Sequence, residues 1–291
     1  MPNAAFVLLA ALASAPSQSP VPTPVPPPRS DPATATAVLK VPGMDRVRIV
    51  ADAVYSRPDG TPLAADVYLP AAGRTGARAP VVILVAGGAE NPKAWGIYTS
   101  LGRLLAASGL AAVPFNHRLR YPKRQYEEGA ADLLAVIGYL RSNAARLGID
   151  ADRIAVTAFS GGGPMLSVAM RQRPAGVRAL AGIYAFLDTG HVNAQEAGTT
   201  PEVIRRFSPL EQLTAGPGLT HPLFVARAGR DEIPGVNESI DGFAAAALER
   251  NAPLTLVNHP TGFHGFEHRN DDERSREILR MWIEFLRMHL R

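Results

Sequence analysis

The chain has 291 residues, enough for one large α/β domain or two small ones. Hydrophobic residues make up 46% of it and charged residues 19%, the balance of a globular protein with an ample core. The net charge of +4 comes from scattered arginines rather than a basic run interleaved with aromatics, which gives no nucleic-acid partner, and the absence of cysteine excludes disulfides, thiolate nucleophiles and Cys-zinc sites.

Residues 4–13 form a short Ala/Leu/Val/Phe run, too short to span a bilayer, so no stable membrane insertion is expected. Ala13-Ser14-Ala15 closes it with the small-x-small pattern of a secretory cleavage site, although no Lys or Arg precedes Ala4. The expectation is a signal peptide over 1–15 and export to the periplasm or medium; an apolar tail on a cytoplasmic protein is the alternative. Residues 16–40 read as a Pro-rich disordered linker, with the folded domain over 41–291.

From there the pattern predicts a half-buried strand over 47–54, turn chemistry at Arg57-Pro58-Asp59-Gly60 and a second hairpin arm over 63–69. The continuous apolar run 81–85 suits a strand buried on both faces. Strands and helices then alternate: helix 97–108, strand 110–115, helix 126–147, strand 154–158, helix 165–170 and strand 177–186. Strand 223–228, helix 239–250, strand 254–258 and helix 273–290 follow. A hairpin followed by this alternation predicts a mainly parallel sheet of about eight strands covered on both faces. Residues 188–218 are longer than a tight connection and are expected to form a small cap.

The chemistry gathers around Ala158-Phe159-Ser160-Gly161-Gly162-Gly163-Pro164, where a β-rich run ends and a helical run begins. This is the mechanical pattern of a G-x-S-x-G nucleophile elbow with alanine for the first glycine. It predicts Ser160 at the carboxyl edge of the sheet, with the Gly161 N–H at a helix start where negative charge is favoured. An ordinary Gly-rich loop remains open; a phosphate-binding loop would want a lysine that the run lacks. Gly87-Gly88 after the first central strand lets backbone N–H groups face a ligand, which suits a second oxyanion donor or a plain turn. Asp231, in the loop after strand 223–228, is the expected orienter of a histidine, with Glu232 and Asp188 as competitors; Glu232, one residue out of phase, is expected to point away. His264 follows the last strand, so Ser160, Asp231 and His264 occur in α/β-hydrolase order. His264-Gly265-Phe266-Glu267-His268 also spells H-x-x-E-H, a zinc-peptidase pattern, but Gly265 and nearby Pro260 and Gly262 disfavour the helix zinc would need. No metal or other cofactor is expected.

On residues 81–88, Phe115-Asn116-His117-Arg118-Leu119, Leu147 to Gly163, Gly229-Arg230-Asp231 and Phe263-His264-Gly265-Phe266, the sequence resembles α/β-hydrolases of the esterase, lipase and dienelactone-hydrolase-like group. The resemblance spans about residues 47 to 290 and implies the α/β-hydrolase fold with an N-terminal antiparallel hairpin. It implies a serine esterase in which Ser160 attacks a small-molecule carboxylic ester, His264 moves the proton and Asp231 holds the imidazole. It places the oxyanion amides at Gly88, Ala89 and Gly161, where such esterases often carry His-Gly-Gly-Gly in place of Ala86-Gly87-Gly88-Ala89. Two alternatives share the fold: a prolyl-oligopeptidase-type peptidase and a non-catalytic binding protein. The sequence does not fix the oligomeric state.

Overall fold

An antiparallel hairpin opens the sheet: β1 (Arg48–Ser56) pairs with β2 (Leu63–Leu69) across a 3₁₀ turn at Pro58–Gly60. The computed structural model describes residues 31–71, 78–87, 91–119, 125–191 and 200–291. The signal-like run and the Pro-rich stretch up to residue 30 lie outside the described residues. After the hairpin come β3 (Ala79–Val85), α1 (Gly96–Ala107), β4 (Ala111–Pro114), α2 (Tyr126–Ser142), α3 (Ala144–Leu147) and β5 (Ile149–Phe159). Next are α4 (Pro164–Gln172), β6 (Val177–Ile183), α5 (Pro201–Arg206), α6 (Pro209–Thr214) and β7 (Leu223–Ala228). The chain closes with α7 (Val236–Glu249), β8 (Leu254–His259), α8 (Phe266–Arg269) and α9 (Glu273–His289).

The eight strands run in the order β1-β2-β4-β3-β5-β6-β7-β8. β2 meets β4 antiparallel, and from β4 to β8 every pair is parallel. Parallel strands must be crossed over by helices, so both faces are covered and the central strands read as unbroken apolar runs. Val81, Val82, Ile83, Leu84 and Val85 are all buried accordingly. α2, α4, α6 and α7 form a contiguous row, while α9 packs on β6, β7 and β8 and α1 on β2 and β4. The Arg287 guanidinium of α9 donates to the Ser108 carbonyl at the end of α1, joining those two helices.

Several expectations change, the next two most affecting how the chain is organised. The helix expected over 126–147 is two helices, because Asn143 leaves helical geometry (φ −111°, ψ 10°) and its side-chain amide donates to the Tyr139 carbonyl. The folded part begins before residue 41: Ala37 and Leu39 are buried in the core, the Val38 N–H donates to the Glu267 carbonyl, and the Gly96 N–H donates to the Ala33 carbonyl. Residues 31–40 are therefore a packed strap rather than a linker. Among the described residues no helix is long and apolar enough to cross a membrane.

Candidate active site

β5 delivers Ser160 to the carboxyl edge of the sheet. The residue takes φ 51°, a left-handed conformation that costs a non-glycine residue on the order of 1–2 kcal/mol. A 3₁₀ turn over Ser160–Gly162 then leads through Gly163 into α4, whose first residue, Pro164, is suited to a helix start. The glycines are demanded by close approach. A Cβ on Gly162 would lie 2.6 Å from the Val85 carbonyl oxygen, and one on Gly163 would lie 2.0 Å from that of Phe186. A Cβ on Gly87 would lie 2.8 Å from the Gly161 nitrogen and 2.9 Å from Ser160 Cβ, so the loop after β3 runs directly against the elbow. Ala158, which replaces the first glycine of the elbow pattern, is accommodated fully buried.

The loops after β7 and β8 bring the partners. His264 Nε2 is 2.9 Å from Ser160 Oγ, and His264 Nδ1 is 2.7 Å from Asp231 Oδ2. Asp231 Oδ1 accepts the Ile233 N–H at 2.9 Å, which fixes the carboxylate plane. An ionised Asp231 can only accept, so the proton sits on Nδ1 and Nε2 is free to accept from the serine. The structure thus brings Ser160, His264 and Asp231 into one hydrogen-bonded chain and leaves the other acids out of it. Asp188 instead accepts from the Gly190 N–H and the Ser208 hydroxyl, stapling its own loop.

Glu232 does not point away. Its carboxylate accepts the backbone N–H of His264 at 3.1 Å and pairs with Arg269, whose guanidinium donates to the His264 carbonyl at 2.8 Å. Both backbone groups of the histidine are held by this acid–base pair. Burial opposes ionisation of Glu232, but the Arg269 bond outweighs it and holds the carboxyl below the usual range. The sequence offered no periodic signal for either role; only the position of Glu232 beside Asp231 hinted at one.

H-x-x-E-H does not form a metal motif here. His264 lies before Gly265, which takes φ 79°, and both its ring nitrogens bond to side chains of the triad. His268 lies on the short α8, with Nδ1 on Glu267 Oε1 at 3.1 Å. Of the oxyanion candidates, Gly161 sits at the elbow against Gly87, whereas Gly88 and Ala89 lie outside the described residues.

A cavity of about 410 Å³ opens at the serine, walled by Trp95, Tyr98, Phe159, Tyr184 and Ile233, with Asp31 and Pro32 of the strap at its side. Tyr184, just past the end of β6, also takes a left-handed φ of 37°, and its ring lies against the His264 ring, centroids 4.4 Å apart and tilted by 53°. Sequence reasoning missed it, because the strand expected over 177–186 runs through Tyr184, whereas β6 ends at Ile183. The described residues of 188–218 do not line the cavity, and α6 packs on α4 and α7 instead; residues 192–199 lie outside the described set.

Residues 65–176 match the family model BD-FAE, a family of α/β-hydrolase-type esterases. No curated protein matches the chain. Among solved structures, the chain is similar to esterase 2 from the planctomycete Thermogutta terrifontis, with a TM-score of 0.65, 19% identity, and coverage of 84% of this chain and 93% of that one. The butyrate-bound form of that esterase matches with a TM-score of 0.65 and 19% identity over 85% of this chain and 95% of that one. Its paraoxon-phosphorylated form matches with a TM-score of 0.65 and 21% identity over 84% of this chain and 94% of that one. Sheet order, elbow and structural likeness agree, and the chain has the α/β-hydrolase fold.

Proposed function

We propose that the protein is a serine hydrolase that cleaves carboxylic esters through an acyl-enzyme. The carrying observation is the pair of contacts that run from Ser160 Oγ to His264 Nε2 (2.9 Å) and from His264 Nδ1 to Asp231 (2.7 Å) at the mouth of a cavity of about 410 Å³. Ser160 Oγ attacks the ester carbonyl carbon while its proton passes to Nε2; Asp231 stabilises the imidazolium that forms. The carbonyl oxygen takes up negative charge, for which the Gly161 N–H at the elbow is the first donor. The backbone amides of Gly88 and Ala89 are proposed as the partners of Gly161. The tetrahedral adduct collapses, Nε2 returns the proton to the departing alkoxide, and the alcohol leaves. Water, deprotonated by the same nitrogen, then attacks the acyl-enzyme and releases the carboxylic acid. The reading gains support from the related esterase that carries butyrate in one structure and is phosphorylated by paraoxon in another.

The test is a panel of short- and long-chain aryl esters with a peptide substrate beside them, run with and without a chelator. Ester turnover that survives the chelator and disappears in Ser160→Ala is expected. Peptide cleavage without ester turnover, or activity lost with a bound metal, contradicts the reading. Residues 4–15 are proposed as an export signal; a mature N-terminus near Pro16 in the native host supports that, and an intact Met1 overturns it.

A further inference from the structure

Away from the serine, three polar contacts hold His264. Its Nδ1 meets Asp231, its backbone N–H donates to Glu232, and its carbonyl accepts from Arg269. All three act on the main chain or on one corner of the ring. The torsion that turns a histidine ring about its Cβ–Cγ bond is broad and soft. Small rotations about that bond and the one before it pivot the ring on Nδ1. They carry Nε2 away from Ser160 Oγ, its partner at 2.9 Å. The plane of the ring therefore needs a further restraint.

Tyr184 supplies one. Its ring lies against the His264 ring, centroids 4.4 Å apart and planes tilted by 53°, and it lines the same cavity as Ser160. The tyrosine is itself held at both ends. Its backbone N–H donates to the Ala226 carbonyl of β7 at 2.8 Å, and its hydroxyl donates to Glu267 Oε1 at 2.6 Å. Between them the ring meets Phe266 edge-on at 5.6 Å and lies 6.2 Å from Phe159, the residue before the nucleophile. The acceptor is anchored in turn: Glu267 Oε1 also meets His268 Nδ1 at 3.1 Å, and the Glu267 carbonyl accepts the Val38 N–H of the strap at 2.8 Å. Burial and then the charge of Glu267 push the Tyr184 phenol well above its usual range, so it stays a neutral donor. The backbone of Tyr184 sits at a left-handed φ of 37°. Strain of this kind persists where the surroundings over-determine a residue, and it gathers at working sites. Filling space asks for neither a strained backbone nor a charged acceptor on the hydroxyl.

We propose that Tyr184 is a positioning residue: with its hydroxyl anchored on Glu267, its ring fixes the plane of the His264 imidazole so that Nε2 faces Ser160 Oγ. The inference rests on the ester-hydrolase reading. It assigns Glu267 the part of an anchor for the tyrosine. The ring contact acts at every step in which Nε2 takes or returns a proton, and it adds no charge to the site.

The experiment measures kcat and KM on one aryl ester, and in parallel the rate of fluorophosphonate labelling, in Tyr184→Phe and Tyr184→Leu. Each variant is assayed well below its own melting temperature. Tyr184→Leu removes the ring and is expected to lower kcat by about 100-fold, the cost of a misplaced reacting group. Tyr184→Phe keeps the ring without its anchor and is expected to recover at least about 10-fold of that loss. KM should stay within about twofold in both, since the aim of a catalytic group is lost and not the substrate site. Labelling should slow in the same order, because it too needs Nε2 to take the serine proton. If Tyr184→Leu does not fold, Tyr184→Met, flexible and without a plane, takes its place with the same expectation. A kcat for the leucine or methionine variant within about threefold of wild type overturns the proposal. So does a fall confined to KM, which marks a plain cavity wall, or a loss as deep in the phenylalanine variant as in the leucine one. Wild-type protein that labels at Ser160 but turns over no ester defeats the ester-hydrolase reading alone, and the labelling rates still decide the role of Tyr184.

Discussion

At Ser160 the backbone is held at φ 51° so that one hydroxyl meets one imidazole nitrogen, and the neighbouring residues show how little freedom that leaves. Asp231→Asn should keep the fold and lower kcat by about 10⁴-fold, because an amide can hold the wrong imidazole tautomer. Asp188→Asn should cost far less, since among the described residues Asp188 holds the Gly190 N–H, the Ser208 hydroxyl and the His191 ring rather than His264 or Ser160. Steady-state kinetics on one aryl ester decides between them; near-full turnover in Asp231→Asn would show that the acid is elsewhere. Glu232 and Arg269 act one step further out, on the backbone of His264. Glu232→Ala should lower kcat by about 10-fold with KM little changed, as expected when a catalytic group loses its aim rather than its substrate. Glu232→Gln, which still accepts the His264 N–H, should recover part of the loss. A fall confined to KM, or one that tracks melting temperature alone, contradicts a positioning role. The spacing of Ser160, Asp231 and His264 was legible in the sequence because each sits at a strand end, where apolar runs stop at polar or Gly-rich loops. The clasp by Glu232 and Arg269 was not, because it acts on backbone atoms brought near only by the fold.

At the scale of elements, β5 and the loop after β3 form one unit. Gly87→Ala should drive its new methyl into the Gly161 nitrogen and Ser160 Cβ. The expected result is a loss in kcat of about 10²-fold or more, since small misplacements of a reacting group are that costly. The melting temperature should move much less. The reverse pattern, a large fall in stability with kcat intact, argues against the close packing. β8 and α9 form a second unit through His259, whose Nε2 meets Ser275 Oγ at 2.9 Å and Asp272 at 3.2 Å. Burial holds the His259 pKa below its ordinary 6.5, against the pull of Asp272. A group depressed in the folded state contributes stability that is present above the unfolded pKa and lost as pH falls. Asp272, held low because its bonds to Ser275 outweigh the cost of burial, acts in the same direction at lower pH. Melting temperature should therefore fall as pH drops below 6.5, and His259→Gln should flatten the upper part of that fall. Identical slopes in the two proteins would remove His259 from the account. Most of these elements were readable from periodicity. One exception is β5, which starts at Ile149 rather than 154: its first residues pair with Ala79 and Pro80 before a register shift, and Arg153 and Arg141 pair with Asp150 and Asp152 there.

Over the whole molecule, a mainly parallel sheet lines up the strand ends that carry Ser160, Tyr184, Asp231 and His264 along one edge, and helices on both faces keep that edge in place. The strap over residues 31–40 closes one side of the cavity and anchors on the core through Ala37 and Leu39. Its Thr- and Ala-rich composition, following the Pro-rich stretch, reads as linker because its partners, Glu267 and Gly96, are remote in sequence and leave no local pattern. Leu39→Ala should cost about 2–5 kcal/mol, the range for emptying a buried leucine site. Chemical denaturation measures it, and an unchanged midpoint would place the strap outside the cooperative fold. The account as a whole stands on Ser160 being the nucleophile of one assembled triad. Its most direct test is intact-mass and peptide mapping after treatment with a fluorophosphonate. The account predicts one adduct per chain, on Ser160, slowed by His264→Ala and absent from Ser160→Ala. An adduct on another serine, or none on the folded protein, would contradict it.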